Sequence, residues 1–260
     1  MNILRIVQRF SQNHSYRLTE QGSGFSYQIN LYSNDKITSF WHDVPIYPIK
    51  EQFNIINVGI EIPKERLAKF EVSKTIKYNP IVQDKKTKKN SDEKELRYYA
   101  QFAPYNYGFI PQTWENSTIN LHEGFKGDDD PLDILDLSMK KVFKPGDIFQ
   151  AKIIGAFCVL DQDEVDWKIL VLNTEEADQL KINEFNDYEK KYPDLGRYML
   201  NRFRYIKTFD GKKENQILFN NQIFDAKRAV EIVKEGHQQY QDLLQNPNLK
   251  MKRQEFLITN

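Results

Sequence analysis

The segment 127–133 places four carboxylates within six residues, those of Asp128, Asp129, Asp130 and Asp133. Their negative charges repel one another unless water screens them or a cation binds them. The candidate ligands are carboxylate oxygens, and apart from His122 no His or Cys stands nearby in the sequence. A metal site here would therefore favour Mg²⁺, Mn²⁺ or Ca²⁺ over zinc. The twelve-residue calcium loop is excluded, because its sixth position needs glycine and its twelfth needs glutamate, and this segment has neither. From these residues alone, a metal site and a solvated acidic turn both stay open.

Two further segments set acidic and basic side chains side by side. The segment 161–168 (DQDEVDWK) separates two strand-like stretches and is typical of a hairpin connection. Alternation along a strand places Asp166 and Lys168 on one face, and it does the same for Lys69 and Glu71. Ion pairing across a sheet would explain any one of these pairs. Several carboxylates beside Lys and Arg are, however, what a site for metals bound to a polyanion requires, since cationic side chains hold phosphate oxygens.

The elements that position these residues are strands in the middle of the chain and helices after it. Strands are predicted from stretches rich in Ile, Val and Phe at residues 55–62, 68–73, 132–137, 148–160 and 167–172. Helices are predicted at residues 185–191, 195–203 and 226–244. The charged segment 84–95 is predicted to be a solvated hairpin tip or loop. This order favours helices packed on a barrel-like sheet.

The composition of the 260-residue chain excludes several classes of protein. Lys plus Arg and Asp plus Glu number 37 each, so no overall basic field favours nonspecific binding to nucleic acid. Hydrophobic residues make up 40% of the chain, enough for a sizeable core. The single cysteine, Cys158, cannot form an intrachain disulfide, and no apolar stretch approaches the ~20 residues of a membrane-spanning helix. We expect a soluble protein of a reducing compartment.

The N-terminal nineteen residues are basic, with Arg5, Arg9 and Arg17 and no acidic residue. This pattern fits either a mitochondrial transit segment or a frayed basic end. We therefore expect residues 1–15 to form an N-terminal extension and residues 16–260 to form a single domain. The expected location is the cytoplasm, with the mitochondrion as the alternative.

Several motifs occur in the order found in one enzyme family. In chain order they are HDVP at 42–45, EIP at 61–63, NYGFIPQTW at 106–114, GDDDPLD at 127–133, Asp161 with DWK at 166–168, and DGKKENQ at 210–216. These motifs resemble those of the soluble family I inorganic pyrophosphatases. GDDDPLD resembles the D-x-D-P-x-D signature of that family, and NYGFIPQTW resembles its N-Y-G segment. The resemblance spans roughly residues 40–245, and its first two motifs resemble the longer, eukaryotic-type members.

The resemblance implies an inorganic diphosphatase that uses Mg²⁺ to hydrolyse pyrophosphate to two orthophosphates. It implies metal ligands at Asp128, Asp133, Asp161, Asp166, Glu71 and Glu61. It implies catalytic, phosphate-binding side chains at Lys69, Arg97, Tyr107, Lys168 and Lys207, and Asp130 would orient or deprotonate the attacking water. The implied fold is mainly β with α, an OB-like five-stranded closed β-barrel with flanking and C-terminal helices. The implied partner is pyrophosphate, without nucleic acid or membrane, and eukaryotic-type members are usually homodimers.

Two positions depart from the family pattern. Ile206 stands where the family usually has Tyr before Lys207, and Ala103 stands where it commonly has Tyr before Pro104. Each change removes a hydroxyl group that could bind phosphate. The loss should weaken substrate binding by about 1 kcal/mol, the typical net contribution of one hydrogen bond. Two other functions also stay open. One is a pyrophosphatase-like binding or scaffold subunit with weakened catalysis, and the other is an OB-type binder of single-stranded nucleic acid, which an acidic cleft disfavours.

Some conspicuous residues are expected to have no chemical role. Asp129 should be a solvated acid, because a neighbour on an extended strand faces away from Asp128 and Asp130. The four histidines show no ligand spacing and are expected to be structural. Cys158 is expected to be a small core residue.

Overall fold

The computed structural model describes residues 5–10 and 15–256, with side chains from residue 16 onward. The strands described, in chain order, are β1 (Arg5–Phe10), β2 (Ser15–Gln21), β3 (Gln28–Ser33), β4 (Lys36–Thr38), β5 (Ile55–Ile62), β6 (Phe70–Val72), β7 (Ile81–Gln83), β8 (Lys85–Thr87), β9 (Lys94–Leu96), β10 (Asn106–Phe109), β11 (Lys126–Gly127), β12 (Asp133–Asp136), β13 (Ile148–Asp161), β14 (Glu164–Asn173) and β15 (Gln216–Ile217). The helices described are α1 (Thr174–Leu180), α2 (Phe185–Lys191), α3 (Leu195–Tyr205), α4 (Leu218–Asn221), α5 (Ala226–Gln245) and α6 (Lys250–Glu255).

Five strands close into a ring, in the order β5, β10, β12, β14 and β13, with β13 pairing back onto β5. The β12–β14 pairing is parallel and the other four pairings are antiparallel. β11 and β15 extend the same sheet. The prediction of a five-stranded, OB-like barrel with flanking helices is confirmed, and four of its five strands lie where the apolar stretches predicted strands.

The longest antiparallel pair of the ring, β13 with β14, turns through only two residues. Gln162 and Asp163 have φ angles of 56° and 67°, the left-handed conformation that two-residue hairpin turns need. This tight turn fixes the register, with Asp161 opposite Glu164 and Val159 opposite Asp166. The predicted hairpin connection is confirmed, and it holds its acidic residues at one end of the barrel.

Alternation along β14 separates a polar end from an apolar end on one face of the sheet. Asp166, Lys168, Leu170 and Leu172 share that face. Leu170 and Leu172 pack with α1, α2 and α3, whereas the opposite face of the strand packs against α5. The charged end of the shared face, Asp166 with Lys168, is itself nearly buried, and it forms one wall of a cleft lined by both residues.

A second sheet, in the order β1, β2, β3, β7 and β6 with β4 beside β3, flanks the barrel and brings β6 to the cleft. The segment 84–95 forms the β8–β9 hairpin with an exposed tip, so the hairpin prediction is confirmed.

Among the predicted helices, α2 matches its prediction and α3 runs two residues further than predicted. Residues 5–10 of the expected N-terminal extension pair with β2 as strand β1, while the rest of that prediction involves residues outside the described ones. Among the described residues, no helix is long and apolar enough to cross a membrane.

Candidate active site

One cleft of about 430 Å³ at the end of the barrel contains all twelve predicted site residues. They are Glu61, Lys69, Glu71, Arg97, Tyr107, Asp128, Asp130, Asp133, Asp161, Asp166, Lys168 and Lys207. Counted over the described residues, nine carboxylates and five Lys or Arg side chains line the cleft. The excess of negative charge means that a polyanion can bind here only after cations have neutralised part of the wall.

The segment 127–133 reaches the cleft by packing against the backbone around Glu115. A Cβ on Gly127 would lie 2.4 Å from the backbone of Glu115, so only glycine permits this approach. Two backbone hydrogen bonds then join the two segments, from Glu115 N to Asp130 O at 2.9 Å and from Asp129 N to Glu115 O at 3.1 Å. The segment therefore carries Asp128 and Asp130 into the cleft, and it brings Glu115 beside them.

Three carboxylates meet at the base of the cleft. Oxygen atoms of Glu115, Asp128 and Asp166 all lie within 4.8 Å of one another. Burial, together with the neighbouring carboxylates, raises the pKa of Glu115 and of Asp128 well above the usual range, and it raises the pKa of Asp166 to about 7. Glu115 Oε1 accepts a hydrogen bond from Trp167 N, whereas its buried Oε2 has no hydrogen-bond partner among the described residues. Clustered carboxylates with a spare buried oxygen are chemically suited to a hard divalent cation.

Lys168 lies at the centre of the barrel side of the cleft. Its ammonium contacts Asp166 at 2.5 Å and also Asp133, and it donates a hydrogen bond to the Tyr107 hydroxyl at 3.0 Å. Tyr107 in turn donates to Asp133. Burial alone would lower the pKa of Lys168, but Asp133 and Asp166 raise it well above its usual range. Lys168 therefore stays positively charged in a site that is almost fully enclosed.

The remaining predicted cations are also paired with carboxylates. Lys69 contacts Glu71 at 2.7 Å and Asp84 at 3.0 Å, and Arg97 contacts the same Asp84 oxygen at 3.0 Å. These partners raise the pKa of Lys69 and of Arg97 against the opposing effect of burial. The positive charges are therefore held in fixed positions around one corner of the cleft.

Three predicted site residues, Lys207, Asp161 and Glu61, lie at or just after the ends of strands and helices and are held by contacts with neighbouring parts of the chain. Lys207, just after α3, contacts Asp161 at the end of β13 at 2.8 Å. Glu61, at the end of β5, accepts a hydrogen bond from Val72 N at 2.7 Å, and burial raises the pKa of its carboxyl well above the usual range. Both carboxylates are therefore fixed at the cleft by contacts between different parts of the chain.

Asp130 has a partner that sequence reasoning missed. Lys74 contacts its carboxylate at 2.8 Å and lines the same cleft. Burial raises the pKa of Asp130, and the positive charge of Lys74 works against that rise. Asp130 is therefore a carboxylate whose position is set by a lysine on the neighbouring segment.

The prediction that Asp129 is a solvated acid is wrong. Its side chain does point away from Asp128 and Asp130, but it accepts hydrogen bonds from Trp114 Nε1 at 3.0 Å and Ser117 Oγ at 2.7 Å, and it pairs with Lys252 of α6. Its φ angle is 72°, so the backbone is left-handed rather than extended at this residue. Asp129 therefore ties the back of the segment to the protein core.

The two departures from the family pattern leave the cleft without a hydroxyl at those positions. Ile206 lines the cleft with an apolar side chain. Tyr205 is 45% exposed and lines a neighbouring groove with Tyr198, and Ile206 and Tyr99 border both that groove and the cleft. Ala103 uses its carbonyl to accept a hydrogen bond from Glu65 N at 3.0 Å, and it is not among the described residues that line the cleft.

The sequence did not reveal Lys74, which lines the cleft, or Glu115 and Asp84, which lie against residues that line it. Glu115 stands thirteen residues before Asp128, so no local spacing connects the two, and only the backbone pairing described above joins them. Asp84 opens a charged run that is otherwise a solvated hairpin. A signal for Lys74 was available, since it follows the Lys69–Glu71 pair closely in the chain.

The described histidines and Cys158 lie in structural positions. His42 stacks between Trp41 and Tyr240, and burial lowers its pKa to about 4. His237 contacts the carbonyl of Gln112 at 2.7 Å, and Cys158 is fully buried. His14 lies outside the described residues.

A larger groove, of about 700 Å³, lies between α2, α3 and the segment 221–225. Its cations are already engaged by the protein, since Arg204 donates to Asn221 at 2.5 Å and Arg228 contacts Glu231 and Glu235. Within the described part of the chain, the carboxylates close enough to share a metal ion lie in the smaller cleft. Chemistry, rather than size, therefore identifies the candidate active site.

Comparisons with known proteins agree with this geometry. Residues 58–241 match the family model for inorganic pyrophosphatase. An inorganic pyrophosphatase of Drosophila melanogaster is 34% identical over 253 residues, which cover 93% of this chain and 72% of that protein. The crystal structure of type I inorganic pyrophosphatase from P. falciparum has a TM-score of 0.81 at 31% identity, covering 96% of this chain and 79% of that chain.

A structure with bound ligand is also similar to this chain. The N-terminal domain truncated vacuolar soluble pyrophosphatase of Trypanosoma cruzi, solved in complex with PPi, has a TM-score of 0.79 at 28% identity. The match covers 93% of this chain and 92% of that chain. With a family model that spans the barrel, the cleft and most of α5, the chain belongs to the inorganic pyrophosphatase family.

Proposed function

We propose that this chain hydrolyses pyrophosphate to two orthophosphates with Mg²⁺ as its cofactor. Family membership supports the reaction, and the single observation that carries the proposal here is the cleft itself. Clustered carboxylates at its base stand beside fixed cations that can hold phosphate oxygens. Carboxylate oxygens are the ligands that Mg²⁺ prefers in proteins, which is why we favour Mg²⁺ among divalent cations.

The carboxylates proposed to hold Mg²⁺ are those of Asp128, Asp133, Asp161, Asp166, Glu71 and Glu61, and the structure adds Glu115 to the base of this group. When bound, Mg²⁺ neutralises substrate charge and lowers the pKa of coordinated water. The raised pKa values of the partly buried Asp128 and the buried Asp166 fit this role, because a bound cation relieves their mutual repulsion.

The cationic side chains are proposed to hold the substrate. Lys69 and Arg97 lie together in one corner, and Lys168 stands on the barrel side, so phosphate oxygens can be contacted from two sides. Tyr107 and Lys207 complete the proposed set. Because the nearby carboxylates keep Lys168 protonated, its charge also stabilises the negative charge that builds on phosphate oxygens during the reaction.

Asp130 is proposed to orient and deprotonate the attacking water. Its carboxylate lines the cleft and is held by Lys74 at 2.8 Å, while its backbone N–H donates a hydrogen bond to Asp128 Oδ1 at 3.0 Å. A general base fixed in position typically accelerates a reaction about 10²–10⁴-fold. No covalent enzyme intermediate is required for this route.

The alternatives are less well supported. A single-stranded nucleic-acid binder would need a basic groove with stacking aromatics, and this cleft has an excess of carboxylates. A scaffold role without catalysis is motivated only by Ile206 and Ala103, while the carboxylates and cations of the cleft are all in place.

The decisive experiment measures phosphate release from pyrophosphate with Mg²⁺, with Ca²⁺ and with a chelator. We expect release with Mg²⁺, little with Ca²⁺ because its larger and looser ligand shell misplaces the water, and none with the chelator. No release with Mg²⁺ would contradict the proposal and favour the scaffold role.

The hairpin tip offers a matched pair of variants for the metal-binding roles. Asp161→Asn should raise the Mg²⁺ concentration needed for half-maximal activity, because Asp161 lines the cleft. Asp163→Asn should leave it unchanged, because Asp163 is exposed in the adjacent turn, where Asn tolerates the left-handed backbone. Equal effects would mean that only the overall charge of the tip matters.

The oligomeric state and location are also proposals. From its eukaryotic-type motifs we propose a homodimer, which light scattering during gel filtration would test. We propose a cytoplasmic location, with the mitochondrion as the alternative suggested by the basic N-terminus. Imaging of the full chain beside a variant without residues 2–15 would distinguish the two.

A further inference from the structure

The short segment 97–99 places Tyr99 in the cleft by strand-like pairing. Tyr99 N donates a hydrogen bond to Leu67 O at 2.7 Å, and Lys69 N donates to Arg97 O at 3.1 Å. Side chains alternate along such a segment, so Arg97 and Tyr99 face the cleft together. Tyr98 between them faces outward and is 54% exposed.

The phenol of Tyr99 lies among the cations proposed to bind phosphate. Burial raises its pKa, and the positive charges of Lys69, Arg97 and Lys168 oppose that rise. The hydroxyl therefore remains a protonated hydrogen-bond donor at neutral pH, next to three side chains that attract anionic oxygens.

Within the described part of the chain, the hydroxyl of Tyr99 has no hydrogen-bond partner, in contrast to that of the other cleft tyrosine. Tyr107 donates to Asp133 and accepts from Lys168. Among the described residues, none forms a hydrogen bond with the Tyr99 hydroxyl. A half-buried donor that faces cations lacks an acceptor, and an anionic phosphate oxygen would satisfy it.

The two positions where related proteins commonly have Tyr provide no such donor here. Ala103 has no hydroxyl, and Ile206 presents an apolar side chain to the cleft. Tyr99 supplies a phenol to the same cleft from a different segment of the chain.

We propose that Tyr99 is a substrate-binding residue that donates a hydrogen bond to a pyrophosphate oxygen held by Lys69, Arg97 and Lys168. The proposal rests on the proposed pyrophosphatase function. It also explains how this chain binds substrate without the two usual tyrosines.

The test compares Tyr99→Phe with Tyr98→Phe, which removes the same atom from the outward-facing neighbour. Binding of imidodiphosphate, a non-hydrolysable pyrophosphate analogue, is measured by calorimetry with Mg²⁺, and kcat and KM are measured with pyrophosphate. We expect Tyr99→Phe to weaken binding about tenfold, since a hydrogen bond to a charged group is lost. Tyr98→Phe should stay within twofold, and both variants should unfold at the wild-type temperature because each ring is kept.

The outcomes separate this proposal from the proposed function. Hydrolysis by the wild type together with unchanged binding and KM in Tyr99→Phe would overturn the role of Tyr99 alone. Analogue binding that depends on Tyr99, in a wild type that releases no phosphate, would overturn catalysis and uphold the binding role. A wild type that binds no analogue would overturn both.

Discussion

Two walls of the cleft are built in different ways. The carboxylate wall, formed by Asp128, Asp130, Asp133 and Asp166, stands on barrel strands and on the segment that packs against Glu115. The donor wall, formed by Arg97, Tyr99, Ile206 and Lys207, stands on a short paired segment and on the end of α3. The family resemblance implied all four carboxylates of the first wall, whereas the second wall lacks the tyrosine that the family usually has before Lys207.

The difference follows from how many neighbours fix each backbone. β12 and β14 pair with strands on both sides, so a shift by one residue would move Asp133, Asp166 and Lys168 to the wrong face. The end of α3 has no such register, and a one-residue change there rotates the side chain by ~100°. Metal ligands are therefore constrained by the barrel, while donors to phosphate can come from different segments.

The largest effect is expected on the carboxylate wall. Asp130→Asn should lower kcat at least about 100-fold, because it removes the proposed base while keeping shape. Asp129→Asn deletes the same charge from the adjacent residue, yet it keeps an oxygen that can accept from Trp114 and Ser117, so we expect a loss of only a few-fold. Steady-state kinetics on both variants measures the contrast. Equal losses would show that the segment acts through total charge rather than through orientation.

Metal binding should stabilise the same wall. Mg²⁺ at about 100 times its dissociation constant should stabilise the fold by about 2.7 kcal/mol, or about 5–10 °C in unfolding temperature for a chain of this size. Asp128→Asn should abolish most of this shift, because Asp128 belongs to the carboxylate group at the base of the cleft. Differential scanning calorimetry with Mg²⁺ and with a chelator measures it. If Asp128→Asn kept the full Mg²⁺-induced rise in unfolding temperature, the stabilising metal would have to bind elsewhere.

The back of the carboxylate wall should matter for stability more than for chemistry. Asp129→Leu leaves the Trp114 indole and the Ser117 hydroxyl without their acceptor, leaves Lys252 with Glu255 alone, and puts a bulky residue at a left-handed position. We expect a cost of about 2 kcal/mol, or about 4–8 °C. The control Lys252→Met removes only the partly exposed ion pairs to Asp129 and Glu255 and should cost less than about 1 kcal/mol. Thermal unfolding of both variants with Mg²⁺ present tests this, and a larger effect of Lys252→Met would contradict it.

The same contrast explains how much the sequence predicted. Alternation placed Asp166 with Lys168, and apolar stretches located four of the five ring strands, because both signals are local. The environment of Asp129 could not be predicted, since Trp114, Ser117 and Lys252 approach it from three separate parts of the chain. Glu115 was missed for the same reason, because only tertiary backbone pairing brings it beside Asp128 and Asp130. Tyr99 did have a local signal, since it stands two residues after Arg97 on an alternating segment.

The smallest effect is expected from restoring the missing tyrosine of the donor wall. Ile206 already lines the cleft at the end of α3, while Tyr205 is 45% exposed in a neighbouring groove. Ile206→Tyr should therefore add a donor near a phosphate oxygen and lower KM by up to about tenfold, since only part of a charged hydrogen bond would be realised. The gain should be larger in a Tyr99→Phe background, where the cleft lacks its other free phenol. Tyr205→Phe is the matched control and should leave KM within twofold. Steady-state kinetics on these variants distinguishes the two accounts. If Ile206→Tyr did not lower KM and Tyr205→Phe raised it, Tyr205 would reach the substrate. The donor wall would then be complete without a tyrosine at position 206.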